Sequence, residues 1–160
     1  MSHTLSPVDP TLIALEQTRL IRAPRLEVYR AWTDPEIVKK WFGPPNRFVS
    51  HADFDPRVGG TYRIEMSLRP DPAKPEAPAA IPVTVTGTYT QVVPNELLQF
   101  TWIAGWSQDE ESLVTVTLRD VDGGTEILLR HDKFLSEPSR DAHHNGWAEG
   151  LNNFARVLEN

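Results

Sequence analysis

Apolar and polar residues alternate in steps of two through most of the chain, and a helical spacing replaces that alternation at its end. In Thr61 to Leu68, the residues Tyr62, Ile64, Met66 and Leu68 share one strand face against Arg63, Glu65 and Ser67. Val83 to Val93 sets Val85, Gly87 and Tyr89 on one face, and LLQFTW alternates Leu98, Phe100 and Trp102 with Gln99 and Thr101. LVTVTL offers Val114, Val116 and Leu118 to an interior, and TEILLRHD offers Thr125, Ile127, Leu129 and His131. Leu15 to Ile21 and Phe48 to Phe54 read as further strands. Gly59-Gly60, Pro94-Asn95 and Asp122-Gly123-Gly124 carry turn chemistry between them. Pro70 to Pro82 is too rich in proline for a central strand and predicts a long, mobile hairpin loop. Ala104 to Glu111 is a polar connection holding Trp106.

Two short helices are predicted after the first strand. Ala23-Pro24 opens one with proline at its first position, and Val28, Ala31 and Trp32 form its buried stripe. Asp34-Pro35 caps the other, which runs to about Trp41 before Pro44-Pro45 forbids continuation. Ser139 to Asn160 predicts one long amphipathic helix with Ser139 as its N-cap. At about 100° per residue, Val157, Gly150, His143, Phe154, Trp147, Leu158 and Leu151 fall on one arc. Asn145, Asp141, Asn152, Arg156 and Glu149 fall opposite. Gly146 and Gly150 lie on or beside the apolar arc, where each costs about 1 kcal/mol against alanine. Either the sheet backbone comes very close there, or space is left for a ligand. Strands joined by short turns are mostly antiparallel, and only the last helix is long enough to cover their apolar face. The expected fold is α+β, a curved antiparallel sheet wrapped around a long C-terminal helix.

Composition narrows the partners. A chain of 160 residues is expected to form one domain, over 13–160, behind a loose tail over 1–12. The formal charge of −6 argues against nucleic acid or an anionic membrane surface as the main partner. Without cysteine there is no disulfide framework and no thiolate nucleophile or metal ligand. The start lacks a basic segment followed by an apolar run, and no apolar stretch approaches a membrane span, so a cytoplasmic protein without membrane insertion is expected. No HExxH, Walker loop, GxGxxG or GxSxG is present, and neither a metal nor a cofactor is expected. His143 and His144 are adjacent, hence on different sides of a helix, and Asp120-Val121-Asp122-Gly123 reads as a hairpin turn rather than a calcium loop.

Several local motifs, in order, resemble one family. They are Ala23-Pro24 with Val28 and Ala31-Trp32, Trp41-Phe42-Gly43-Pro44 and Arg57-Val58-Gly59-Gly60. Gly87-Thr88-Tyr89 through Pro94 to Phe100-Thr101-Trp102, and Gly146-Trp147, complete the set. With the order of elements they resemble the START-like, or helix-grip, superfamily. Within it they resemble the family related to the C-terminal domain of the activator of heat-shock-protein-90 ATPase. The resemblance spans about Leu15 to Leu158. It implies a deep apolar cavity between sheet and terminal helix, where superfamily members carry lipids, polyketides or hormones, and some act as cyclases or hydrolases. It carries over no catalytic residue. In eukaryotic chaperone activators a separate N-terminal domain accompanies this module, and no room for one is expected here.

The candidate cavity lining is therefore aromatic and apolar: Trp41, Phe42, Tyr62, Ile64, Met66, Tyr89, Phe100, Trp102, Trp147, Gly150, Leu151 and Phe154, with His131 and His143. Such a set is equally what an ordinary core contains. The absence of side-chain volume at Gly87, Gly146 and Gly150 favours a pocket. His131 on the inward strand face and His143 in the helical arc are candidates to orient a ligand or move a proton. The plainer reading has His143 half-exposed at the helix mouth and His131 bonded to a backbone carbonyl. His51 and Asp53 share a strand face that is expected to point to solvent. Three functions follow: binding of an apolar or aromatic small molecule, an enzyme using the same cavity, or a protein-interaction module. The last would touch a chaperone through Trp106 or the Pro70–Pro82 loop.

Overall fold

A computed structural model describes residues 13–76 and 81–159. The tail expected over 1–12 lies outside the described residues, as do 77–80 of the proline-rich loop. Seven strands, Leu15–Ile21 (β1), Arg47–Phe54 (β2), Thr61–Leu68 (β3), Val83–Val93 (β4), Leu97–Ala104 (β5), Glu110–Val121 (β6) and Gly124–Asp132 (β7), form one sheet. Its order is β1-β7-β6-β5-β4-β3-β2, and every neighbouring pair is antiparallel. Each hairpin pairs consecutive strands, while β1 closes on β7 at the far edge. The chain leaves β1 at one edge and re-enters the sheet at the opposite edge, β2. Helices Arg25–Thr33 (α1) and Pro35–Trp41 (α2) make that crossing. Helix Glu137–Leu158 (α3) lies against the concave face.

The helix starts follow local chemistry, with two differences from expectation. Pro24 is the N-cap of α1 rather than its first residue, held extended at φ −65° and ψ 154°. Ser136, not Ser139, caps α3. Its hydroxyl accepts from the Ser139 amide, and Pro138 occupies the first turn, where a missing N–H costs nothing. Asp34 caps α2 as expected, its carboxylate accepting from the Glu36 amide at 2.9 Å. Trp41 then ties α2 to α1 by donating its indole N–H to the Ala31 carbonyl at 2.8 Å.

Besides a register shift between Tyr89 and Gln91 where β4 pairs with β5, two local irregularities shape the sheet. A bulge between Val49 and His51 reverses the alternation of β2, so Val49 points inward and Phe48 outward. Continuous alternation from Phe48 would have predicted the reverse. The second lies at Gly87, which is central to the sheet and not a volume-saving device. A Cβ there would sit 1.9 Å from the Thr101 carbonyl oxygen and 2.6 Å from Tyr62 Cε1. That carbonyl leans toward Tyr62, whose hydroxyl donates to it at 2.7 Å. The Thr88 amide turns instead to the Thr101 hydroxyl, at 2.9 Å. Gly87 therefore makes a close backbone approach possible and leaves no room for a ligand.

The concave core is built from the alternating inward residues of β3 to β7 and one edge of α3. Trp32 lies edge-on to Trp41 at 4.9 Å between ring centroids, and Phe154 meets Trp41 at the same distance. Such contacts add about 1 kcal/mol each beyond simple burial. His143, Trp147, Leu151, Phe154 and Ala155 form the buried edge of α3. Val157 and Leu158, expected on the same arc, are only partly buried.

Candidate functional site

A cavity of about 340 Å³ opens between α3, the end of α2 and the strands β2 to β5. Its walls are Trp41, Phe42, Trp102, Trp106 and Trp147, with Met66, Val83, Gly43 and Pro44 toward the mouth. The α3 wall is made by Ala142, Gly146 and Gly150, spaced four residues apart and so stacked on one face, with His143 and Glu149 beside them. A Cβ at Gly146 would meet nothing within 4 Å, and one at Gly150 only the rim of Trp41, at 4.0 Å. At Gly150, which is half-buried, open space is the explanation that fits, and Gly146 is exposed at the open side of the same space. At its base the cavity adjoins a chamber of about 20 Å³, the size of a single water molecule. The two spaces share Trp41, Phe42, Trp102 and Trp147 as walls.

The expected lining divides among these places. Trp41, Phe42, Met66, Trp102, His143, Trp147 and Gly150 border the large cavity. Tyr62, Ile64, Tyr89 and Phe100 border only the inner chamber. Leu151, Phe154 and His131 border neither and belong to the packed core, where none is more than 1% exposed. Sequence reasoning left out Gly43, Pro44, Arg47, Val83, Ala142 and Glu149 as lining residues, named Gly146 only for its missing volume, and considered Trp106 only as a partner contact where it is a wall of the cavity. The small-residue spacing Ala142-Gly146-Gly150 was the available signal for one wall. Arg47 had none, because its side chain reaches the mouth from the first position of a strand.

The two histidines are deeper and more constrained than either expectation allowed. His131 is fully buried, and His143 is 7% exposed. The Trp147 indole N–H donates to His131 Nδ1 at 3.0 Å, so that nitrogen is an acceptor and the proton sits on Nε2. His131 Nε2–H then donates to the Ser112 hydroxyl at 2.6 Å, which donates onward to the Trp102 carbonyl at 3.3 Å. The Trp102 indole donates to His143 Nε2 at 3.3 Å, leaving Nδ1–H of His143 to donate to the Ser139 carbonyl at 2.8 Å. Each indole thus fixes the opposite tautomer of its histidine. Both rings are held neutral, since a second N–H on either would face a donor. Burial holds His131 well below the ordinary histidine pKa, and the nearby His143 adds to that. Burial lowers His143 as well, against the pull of the Ser139 carbonyl and the Glu110 charge. Glu110 is itself buried, accepting from the Leu135 amide at 2.8 Å and the Ser139 hydroxyl at 2.5 Å.

A serine 2.6 Å from a histidine invites comparison with a nucleophile and its base. The geometry opposes it. Ser112 is 2% exposed, borders neither space, and receives a proton from Nε2 where a base would take one. Its partner nitrogen Nδ1 faces an indole donor rather than an orienting carboxylate. His51 and Asp53 do pair, at 2.7 Å, but both are exposed on the convex side and away from the cavity. Among the described residues no three histidine, aspartate or glutamate side chains gather where they could hold a metal ion.

A curled antiparallel sheet gripping one long helix over an apolar cavity defines the helix-grip, START-like class. The model of the family described as Activator of Hsp90 ATPase homolog 1-like protein matches residues 22–159. The chain belongs to that family. Among solved structures, a protein from Chromobacterium violaceum is similar at 23% identity, with 93% of this chain and 99% of that one covered and a TM-score of 0.78. An AHSA1 protein from Silicibacter pomeroyi is similar at 22% identity over 91% of this chain and 97% of that one, with a TM-score of 0.74. An AHSA1-like protein from Aeromonas hydrophila matches at 23% identity over 91% and 92%, with a TM-score of 0.73. At these identities the likeness is one of fold. No curated protein matches the chain. No helix among the described residues is long and apolar enough to cross a membrane.

Proposed function

We propose that this protein binds an apolar or aromatic small molecule in the cavity between its sheet and α3, without chemistry of its own. The observation that carries this reading is the missing side chain at half-buried Gly150 beside an aromatic wall, with Gly146 exposed at the open side one turn earlier. Two helix-weakening residues are kept where nothing else occupies the space. The volume suits a ligand of about two benzene-sized rings, since a 150 Å³ cavity holds one, and it falls within the range of small-molecule sites. Proton-transfer catalysis at this site is disfavoured by the same network, because His131 is sealed and both nitrogens of His143 are already bonded. Contact with a chaperone has the family's description behind it and no feature of the site.

Native mass spectrometry of freshly purified protein, with a titration of 2-naphthamide followed by tryptophan fluorescence, tests the proposal. The expected result is a saturable one-to-one change in fluorescence, since Trp41, Trp102, Trp106 and Trp147 border the cavity. A co-purified mass would identify the cargo. Absence of saturable binding of the naphthyl probe up to its solubility limit would overturn the reading.

A further inference from the structure

Polar groups are distributed unevenly around this cavity. The indole N–H groups of Trp41, Trp102 and Trp147 all point at protein acceptors, namely the Ala31 carbonyl, His143 and His131. His143 has both nitrogens engaged. The deep part of the cavity therefore offers a ligand apolar surface and aromatic faces but few free donors. Among the described residues that line the space, charge is carried by Arg47 and Glu149 at the mouth.

These two groups are not equivalent. Arg47 is half-buried, and its Nη1 donates to the Met66 carbonyl at 3.2 Å, which fixes the guanidinium beside a cavity-lining residue. Among the described residues no carboxylate lies within ion-pair distance of it. Arg25, Arg30, Arg57, Arg63, Arg119, Arg130 and Arg140 are all paired, and Arg19, Arg22, Arg69 and Arg156, which like Arg47 have no ion pair among the described residues, do not border the cavity. Arg69 adds a second positive charge close by. Its Nε donates at 3.0 Å to the carbonyl of Pro45, the neighbour of cavity-lining Pro44. Glu149 is exposed on the helix, where water already solvates it. A fixed, half-desolvated guanidinium with donors to spare gains more from a ligand's charge than a fully hydrated carboxylate does.

We propose that the ligand is an anion-headed amphiphile, a carboxylate bound by Arg47 at the mouth with its apolar body among Trp41, Phe42, Trp102 and Trp147. The proposal rests on the ligand-binding reading above and names the ligand's chemical class. A planar carboxylate matches the two-pronged donor geometry of a guanidinium, and the apolar body fills a space with few free donors. The opposing charge of Glu149 weakens the attraction without removing it, because Glu149 belongs to the other wall and faces solvent.

The test compares 2-naphthoate with 2-naphthamide, which share ring and head shape and differ in charge. The wild type is expected to bind the carboxylate about tenfold more tightly, the ordinary advantage of a charge-assisted hydrogen bond at a partly exposed site. Arg47→Gln should erase that ratio and leave 2-naphthamide binding within about threefold of wild type. Arg47→Lys should keep part of the ratio, and Glu149→Gln should raise it. Salt provides a check independent of any variant's folding. Raising sodium chloride from about 0.05 M to about 0.5 M should shrink the advantage of the carboxylate, in part only because Arg47 is half-buried, while sparing the amide. Equal binding of the two probes by the wild type, or a ratio that survives both Arg47→Gln and salt, would overturn the proposal and leave the apolar cavity standing. Failure of both probes to bind would overturn the cavity reading and this one together.

Discussion

Replacing Gly150 by leucine separates the cavity from the rest of the fold. A Cβ at this position meets only Trp41 Cζ3 at 4.0 Å, an ordinary contact, and the remaining side-chain carbons extend into the space bordered by Trp41 and Trp147. Exchanging glycine for leucine inside a helix gains about 0.8 kcal/mol of propensity. Contact with aromatic walls adds about 1.5 kcal/mol at most, and loss of leucine rotamers returns about 0.5–1 kcal/mol. The net expectation is a gain of about 1 kcal/mol, which raises the melting temperature by about 3 °C in a domain of this size. Uptake of 2-naphthamide should meanwhile fall by at least about tenfold, since the leucine competes for the same volume. Gly146→Ala is the control. It should give a similar stability gain of about 0.8 kcal/mol and take up only one methyl's worth of space. Melting curves and fluorescence titrations of the three proteins provide both readings. A lower melting temperature for Gly150→Leu would mean that the helix sits closer to the sheet than described. Unchanged uptake in a stabilised variant would place the ligand elsewhere.

Two other perturbations address the parts that hold the site. Gly87→Ala should destabilise the protein by about 3 kcal/mol or more, because its methyl overlaps the Thr101 carbonyl and breaks the Tyr62 hydrogen bond; urea denaturation measures it, and a loss below about 1 kcal/mol would refute the close approach. Acidification should destabilise the protein from about pH 6.5 downward, before most carboxylates titrate. The sign follows from folded-state pKa values that lie below the unfolded one, so in that window the unfolded chain binds protons that the folded chain refuses. The slope should approach about 1.4 kcal/mol per pH unit for each histidine, and denaturation midpoints that stay flat from pH 7 to about pH 5 would contradict neutral, indole-bound rings.

The strands were legible because their chemistry is local. Alternation in TYRIEMSL and VTVTGTYTQVV, bounded by Gly59-Gly60 and Pro94-Asn95, marks the observed spans of β3 and β4. What the sequence obscured depends on contacts between distant segments. The bulge after Val49 reverses which residues of β2 face inward, and no local residue announces it. Gly87 and Gly150 look alike as glycines on inward faces, yet one meets a carbonyl at 1.9 Å and the other borders open space. Only the path of the neighbouring segment distinguishes them. The histidines were found as inward residues, but their tautomers depend on Trp102 and Trp147, which come from different elements. Ser136 displaced Ser139 as the cap because Pro138 extends the helix by an earlier turn and Glu110 holds the Ser139 hydroxyl.

The long helix carries two functions on adjacent edges, and the spacing of its residues keeps them apart. His143, Trp147, Leu151 and Phe154 anchor it, each of them buried, and two of them are locked by hydrogen bonds to the sheet. Ala142, Gly146 and Gly150 precede the first three anchors by one residue each, which rotates them by one helical step onto the cavity side. Small residues on that edge cost the helix about 2 kcal/mol in propensity across the two glycines. The buried anchoring edge offsets that cost through packing, with Trp147 and Phe154 as its largest side chains. The consequence is that the space can be reshaped from the small-residue edge without disturbing the anchors. A change of ligand would then be expected to register at positions 142, 146 and 150, while 143, 147, 151 and 154 hold the grip.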